Sequence, residues 1–279
     1  MSATRNRQLG SVTLVAAGPG DAELLTVRAV RALGQADLII ADSDTVAIAK
    51  RYASADSEIV PAVDAAGLPL EYAARSKAVV DAAKDGRKVV RLMAGDPVLD
   101  GAFARETAAL TKAKFVFDFV PGVSTVSGVA GYTGVGLTSN AATEIRIIDG
   151  NDPDVDWSAH VSSKLTLVVL NAADKAADIS KALIKAGREL STPVVVTRDG
   201  TTVDQRSVIS TLEELPAAIK VARHAGNGTV IVGDSVAKRS ALSWFEAKPL
   251  FGWRVLIPRT KDSLADLVTE LEQLGATVT

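Results

Sequence analysis

The feature that most constrains this chain is a rhythm. Over residues 12–120, short apolar runs rich in Val, Ile and Leu alternate with Ala-rich stretches of helical period. Val12–Ala17, Leu38–Ala41, Glu58–Val60, Lys88–Leu92 and Phe115–Val120 are the expected strands. Between them, Leu24–Leu33, Val46–Tyr52, Leu70–Lys84 and Ala102–Leu110 are the expected helices; Leu24, Val27, Ala29, Val30 and Leu33 set the period of the first. Strands separated by helices predict a parallel sheet, because parallel neighbours need a crossover. Strands apolar at nearly every position predict helices on both faces.

The second half has a different character. Pro121-Gly122 breaks the pattern, and Ser124–Gly134 reads as a Gly-rich helix. Strands are expected at Glu144–Ile148, Lys164–Leu170, Pro193–Thr197, Gln205–Ser210 and Thr229–Val232, with helices at Lys175–Ala186 and Leu212–Arg223 and a surface loop at Asn151–Trp157. The strand from Pro193, the turn Arg198–Thr202 and the strand after it read as a hairpin, which makes this sheet mixed. A boundary is expected near Pro121–Thr138, giving domains at 10–121 and 122–248, in line with about 150 residues per domain. Residues 250–279 fit neither. Trp253–Pro258 reads as a fresh strand, Lys261–Leu274 as a helix with Leu264, Leu267, Leu271 and Leu274 on one face, and Thr277–Thr279 as the start of another strand.

Composition removes several classes of function. Lys+Arg number 31 against Asp+Glu 33, a net charge of −2, so there is no bulk signal for nucleic acid or for an anionic membrane. Only 4% of residues are aromatic, too few for a base-stacking surface. No Cys is present, which excludes disulfides, thiolate metal sites and a Cys nucleophile, and suits a cytoplasmic protein. His160 and His224 lie far apart, so no metal site is expected. Arg5 and Arg7 before Val12–Ala17 imitate a signal peptide, but Gly18-Pro19-Gly20-Asp21 cuts the run short. No apolar stretch approaches a membrane span, and a soluble protein is expected.

Four motifs could carry chemistry. Ala17-Gly18-Pro19-Gly20-Asp21-Ala22-Glu23-Leu24-Leu25-Thr26 joins a strand to a helix; its glycines let backbone approach a ligand, and its simpler reading is a turn with an N-cap. Glu23 at the third glycine position excludes the dinucleotide fingerprint. Arg91-Leu92-Met93-Ala94-Gly95-Asp96-Pro97 ends a later strand, which places it on the same sheet edge, where open α/β sheets bind ligands. The third is Val120-Pro121-Gly122-Val123-Ser124-Thr125, followed by Gly131-Tyr132-Thr133-Gly134. The fourth is Thr192–Thr202, ending Thr197-Arg198-Asp199-Gly200-Thr201-Thr202 and leading to Gln205-Arg206.

In this order and spacing, over residues 10–250, the four motifs resemble the tetrapyrrole methylase family, and within it the uroporphyrinogen-III C-methyltransferases. Leu242-Ser243-Trp244-Phe245-Glu246 resembles the end of such an enzyme. Gly252-Trp253-Arg254-Val255-Leu256-Ile257-Pro258-Arg259-Thr260 resembles the start of uroporphyrinogen-III synthase, so a fused synthase domain is expected. The resemblance implies a two-domain α/β fold, a homodimer, and S-adenosyl-L-methionine bound in an inter-domain cleft and converted to S-adenosyl-L-homocysteine. It implies a tetrapyrrole substrate, uroporphyrinogen III, methylated at C2 and C7 to precorrin-2 for sirohaem or cobalamin. Carried over residue by residue, it places Pro19, Ala94, Gly95, Asp96, Leu99, Ser124, Thr125, Asn171 and Gly200 at the cofactor and makes Asp42 the proton acceptor. The residues alone leave a second reading of Asp42 or Asp44, as a helix N-cap.

The chain departs from the family pattern mostly where substrate would bind. Gly-Arg is here Gly101-Ala102, Leu-Thr-His-Arg is Leu137-Thr138-Ser139-Asn140, Gly-Lys-Arg is approximately Ala62-Val63-Asp64, and Tyr-Met-Gly is Leu170-Asn171-Ala172. A substrate with eight carboxylates calls for Arg or Lys. Arg91, Arg105, Arg146, Arg198 and Arg206 remain, any of which could be surface charge, with Arg105 facing the cleft. His160 and His224 are expected at the surface or at helix ends, and Tyr132, Trp244 and Phe245 in packing. A non-catalytic module that supports a fused synthase is the alternative these departures favour.

Overall fold

The structure, a computed structural model, describes residues 10–223, 226, 228–257 and 265–278. The chain divides into two compact units, Met1–Thr125 and Val126–Thr279. Arg5, Arg7, His224, Pro258–Leu264 and Thr279 lie outside the described residues.

The first unit is a five-stranded parallel sheet. Its strands are β1 (Ser11–Ala16), β2 (Leu38–Ala41), β3 (Glu58–Pro61), β4 (Lys88–Met93) and β5 (Phe117–Val120), in the order β3-β2-β4-β1-β5. Its helices are α1 (Val27–Gly34), α2 (Val46–Tyr52), α3 (Tyr72–Lys84) and α4 (Ala102–Lys112). Alternate strand residues feed two apolar layers, as the pleat requires. Leu38, Ile40, Val89 and Met93 pack with Val79, Val80 and Leu110 of α3 and α4. Ile39, Ala41, Val90 and Leu92 pack with Ala29, Leu33, Ile48 and Ala49 of α1 and α2. Apolar strands covered on both faces are what the sequence predicts.

The second unit opens with α5 (Thr125–Thr133) and holds β6 (Glu144–Asp149), β7 (Leu165–Leu170), α6 (Ala176–Ala186), β8 (Pro193–Arg198), β9 (Arg206–Thr211), α7 (Leu215–Ala222), β10 (Thr229–Val232) and α8 (Arg239–Leu242). The sheet order is β6-β7-β10-β8-β9; β6 and β7 are parallel and the other pairs antiparallel, a mixed sheet with the expected hairpin. Leu167, Val169, Val194 and Val230 face α6 and α7, while Val168, Leu170, Val195 and Ile231 face Val126 and Ala130 of α5. At the end, β11 (Arg254–Val255), α9 (Ala265–Gln273) and β12 (Thr277–Val278) form a strand–helix–strand with the two strands parallel.

Several boundaries differ from expectation for local reasons. The first helix does not run from Leu24. Asp21 caps a short 3₁₀ turn, Ala22–Leu24, and Thr26 caps α1 by accepting the Ala29 N–H at 3.2 Å. Helix α3 starts at Tyr72, because the Leu70 N–H is engaged by the Ala62 carbonyl. Helix α7 starts at Leu215 with Pro216 in its first turn, while Leu212 and Glu213 donate to Thr192 and Leu190. Leu267 on α9 and Leu274 just after it remain exposed, since a two-stranded sheet covers little.

Candidate functional site

In the first unit β1 hands over to α1 on one face of the sheet, and β4 to α4 on the other. The two neighbouring strands therefore hand the chain to opposite faces of the sheet, the arrangement at whose carboxyl ends open α/β sheets bind ligands. The loops there are 17–21 and 94–97. They are tied by a backbone bridge: Gly18 N–H donates to Gly95 O and Gly95 N–H to Gly18 O, both at 3.1 Å. Gly18 has φ +77° and Gly95 φ +65°, a region that favours glycine. Beside them, after β5, Gly122 lies so close to β1 that a Cβ would sit 2.9 Å from the Ala16 carbonyl. Loops from β4, β1 and β5 thus converge on one edge, and they carry Pro19, Ala94, Gly95, Asp96, Leu99, Ser124 and Thr125.

Asp42 ends β2 on the same edge. Although it stands at the N-cap position of the turn Ser43–Thr45, its side chain caps nothing. Its Oδ2 accepts the Ala94 N–H at 2.9 Å, which fixes the 94–97 loop. Its Oδ1 takes Arg91 Nη2 at 2.6 Å and Arg75 Nη1 at 3.3 Å. Arg91 is not a surface charge. It points from the middle strand β4 into the layer under α3 and α4 and is fully buried. There Glu106 of α4 grips it in a fork, Nε–Oε2 and Nη2–Oε1 both 2.8 Å, and Nη1 donates to the Leu92 carbonyl at 2.6 Å. Arg75 of α3 closes the group, 3.5 Å from Glu106 Oε1, with its Nε on the Leu70 carbonyl at 2.6 Å. A buried and a half-buried cation thus meet two carboxylates, the pairing a buried charge requires. Burial pulls the Arg91 guanidinium down, but the Glu106 hydrogen bonds and the Asp42 charge outweigh it and hold it above its ordinary value.

The rest of this loop is self-ordered. Asp96 accepts the Val98 N–H at 3.2 Å on its side chain and the Leu99 N–H at 3.0 Å on its backbone, and Leu99 itself is exposed. Asp100 accepts the Ala102 N–H at 2.8 Å at the start of α4. Burial, with the charges of Asp96 and Asp42, pushes the Asp100 carboxyl above the usual range, against the pull of that N–H and of Arg105.

In the second unit, Gly200 and Asn171 each sit just after a strand. Gly200 follows β8 between Asp199 (φ +48°) and Thr201 (φ +70°), and a Cβ on it would lie 2.8 Å from Val129 of α5. The turn is held by fully buried Gln205, whose Oε1 accepts the Thr201 N–H at 2.8 Å. Gln205 Nε2 donates to Glu246 Oε1 at 2.8 Å; Glu246 also takes Ser207 Oγ at 2.7 Å and pairs with Arg239. Asn171, after β7, has φ +54° and donates to Asp149 Oδ1 at 3.3 Å. The remaining residues named from sequence are structural here. His160 ends a 3₁₀ turn, as expected, but is buried against Trp157 and bonded to Arg146. Tyr132 packs between Trp244 and Phe245, at 5.0 and 4.6 Å between ring centres.

This arrangement is shared with known proteins. The family described as Tetrapyrrole (Corrin/Porphyrin) Methylases matches residues 11–216, most of the chain and both candidate regions. The chain belongs to the tetrapyrrole methylase family. It is therefore an S-adenosylmethionine-dependent methyltransferase by family. A siroheme synthase of Edwardsiella ictaluri (strain 93-146) is 35% identical over 247 residues, 86% of this chain and 52% of that protein. One of Azotobacter vinelandii (strain DJ / ATCC BAA-1303) is 35% identical over 248 residues, 87% and 53%. The chain thus spans about half the length of the curated relatives it matches. Among solved structures, uroporphyrin-III C-methyltransferase of Thermus thermophilus superposes with TM-score 0.68 at 27% identity, covering 84% of this chain and 96% of that one. Another structure of that enzyme, complexed with S-adenosylhomocysteine, gives TM-score 0.67 at 26% identity, covering 82% and 99%.

The donor set of this tetrapyrrole methylase fits its methyl donor. Residues 17–25, 94–101 and 121–125 contain no Lys or Arg but include Asp21, Glu23, Asp96 and Asp100. That composition suits a sulfonium cation and would repel the phosphates of a nucleotide cofactor. Within the 94–97 loop the Ala94 N–H is engaged by Asp42 and the Gly95 N–H by Gly18, which leaves the Ala94 carbonyl for a ligand. Sequence reading missed Arg75, Glu106 and Gln205 as organisers. The signal for Glu106 was its polarity at an inward position of α4, four residues from both Ala102 and Leu110.

Proposed function

We propose that this chain methylates uroporphyrinogen III at C2 and C7 to precorrin-2, on the way to sirohaem or cobalamin. The observation that carries the reading is the hold of Asp42 on the Ala94 N–H, which puts a carboxylate beside the loops assigned to the methyl donor. S-adenosylmethionine, when bound, supplies an electrophilic methyl group on sulfur. The residues proposed to hold it are Pro19, Ala94, Gly95, Asp96, Leu99, Ser124, Thr125, Asn171 and Gly200. C2 and C7 each already carry a carboxylate side chain and no hydrogen, so methylation leaves a cationic ring that must shed a proton from another position of the macrocycle. Asp42 Oδ1 is occupied by two guanidinium donors, whereas Oδ2 has one donor and keeps a lone pair for that proton.

The strand–helix–strand of β11, α9 and β12 supports reading residues 250–279 as the opening of a fused synthase domain. A homodimer and a cytoplasmic location belong to the same proposal. No helix among the described residues is long and apolar enough to cross a membrane. The test is incubation with uroporphyrinogen III and S-adenosylmethionine, read by product mass. Two added methyl groups are expected; no gain at high enzyme concentration overturns the reading. Binding of both ligands without transfer would point to the non-catalytic module, which Ala102 and Asn140 favour by standing where the family pattern has Arg.

A further inference from the structure

One cation at this edge is left out of the ionic group. Arg105 lies in the first turn of α4 and is exposed. Its guanidinium carbon stands 5.2 Å from the centre of the Tyr72 ring, in the first turn of α3. Arg75 stands 5.0 Å from the same ring. The three side chains form a ladder from solvent inward. Arg75 is fixed at its base by the Leu70 carbonyl, Asp42 and Glu106. Tyr72 is half-buried against it, and Arg105 rests on Tyr72. Among the described residues no carboxylate comes within ion-pair distance of Arg105, its guanidinium makes no hydrogen bond, and neither does the Tyr72 hydroxyl. Asp100 influences Arg105 only through space.

Arg75 already has Asp42 and Glu106 as counter-charges, so Arg105 is the cation of this ladder that an incoming anion would neutralise. Stacking restricts the long Arg105 side chain, so less freedom is lost when its planar fork binds. Both α3 and α4 start at the carboxyl edge that holds Asp42 and the 94–97 loop, so the free donors face the side where substrate must approach.

We propose that Arg105, presented by Tyr72, is an anchor for a carboxylate side chain of the tetrapyrrole substrate, and that it sets preference for heavily carboxylated rings. The inference rests on the function proposed above. The methyl donor also carries a carboxylate, so the test must separate the two sources. Affinities of the full chain for uroporphyrin III, an octacarboxylate, for coproporphyrin III, a tetracarboxylate, and for S-adenosylhomocysteine are measured by fluorescence and calorimetry. In Arg105→Ala, uroporphyrin binding should weaken about tenfold, a lost charge-assisted hydrogen bond, and coproporphyrin binding about twofold. Arg105→Lys should recover part of the loss, as a point charge without the planar fork. S-adenosylhomocysteine affinity and the melting temperature should not move, and in turnover KM should rise with kcat unchanged. Unchanged uroporphyrin affinity in Arg105→Ala overturns the inference, as does a loss confined to S-adenosylhomocysteine or a wild-type chain that binds no porphyrin. A wild-type chain that binds uroporphyrin through Arg105 yet transfers no methyl group refutes only the proposed reaction and supports the anchor.

Discussion

The edge of the parallel sheet and the hairpin of the mixed sheet hold their site residues by opposite means. At the first, Asp42 and the 94–97 loop are positioned by charge: two guanidinium groups and two carboxylates, with Arg91 fully buried. At the second, the Gly200 turn is positioned by the neutral amide of Gln205, which in turn leans on the ion pair Glu246–Arg239. A buried ionic group is costly to desolvate and fails when one member is removed, because the partner stays behind unpaired. A buried amide that meets its partners costs less to lose. The carboxylate proposed as proton acceptor thus sits in a group that tolerates the loss of a member poorly.

Removing one cation breaks the comparison most sharply. Arg91→Met should destabilise the chain by about 3–5 kcal/mol in urea or thermal unfolding, because Glu106 remains buried without its fork. Arg91→Met with Glu106→Leu should regain much of that loss. Asp42→Asn keeps a side-chain carbonyl for the Ala94 N–H but no proton acceptor. Methyl transfer should fall about a hundredfold while S-adenosylhomocysteine affinity changes little. Gln205→Ala frees the Thr201 N–H inside the protein and should cost about 2 kcal/mol, with weaker cofactor binding if the Gly200 turn serves it.

Acid sharpens the contrast. Burial alone would raise the Glu246 carboxyl, but Ser207, Gln205 and Arg239 outweigh it and hold it below its ordinary 4.5. Its stabilisation is therefore complete above pH 4.5 and is lost as pH falls through the lowered value. Glu246→Gln should melt earlier at neutral pH and show a flatter acid limb in melting temperature against pH. Asp100 has the opposite sign. Its raised value means that its ionised form burdens the fold once pH climbs above 3.8 and through the folded value. Asp100→Asn should raise the melting temperature by about 2 °C at neutral pH and leave it unchanged below pH 3.8.

Much of the fold was legible in the residues because it follows from periodicity. Unbroken apolar strands such as Leu38–Ala41 forced helices onto both faces, and the hairpin around Arg198–Thr202 announced a mixed sheet. The carboxyl-edge loops were legible because glycine at Gly18 and Gly95 marks backbone that other residues rarely adopt. The cation inventory was not. Arg91 reads as any other Arg, and only the meeting of β2, β4, α3 and α4 shows that it is buried on Glu106. His160 ends a 3₁₀ turn as expected, but its burial depends on Trp157 and Arg146, which only the fold brings to it.

The sequence by itself determined the α/β alternation, the change of sheet type in the second half, and the order of loops that could meet a ligand. Those are local properties, set by side-chain periodicity and by backbone conformations that few residues tolerate. The tertiary structure decided which charges are paired and which are free. Asp42, Arg75, Arg91 and Glu106 lie up to 64 positions apart, and charge interactions depend on distance and burial in space, not on separation along the chain. The same assembly leaves Arg105 stacked on Tyr72 at the edge where the proposed substrate must bind.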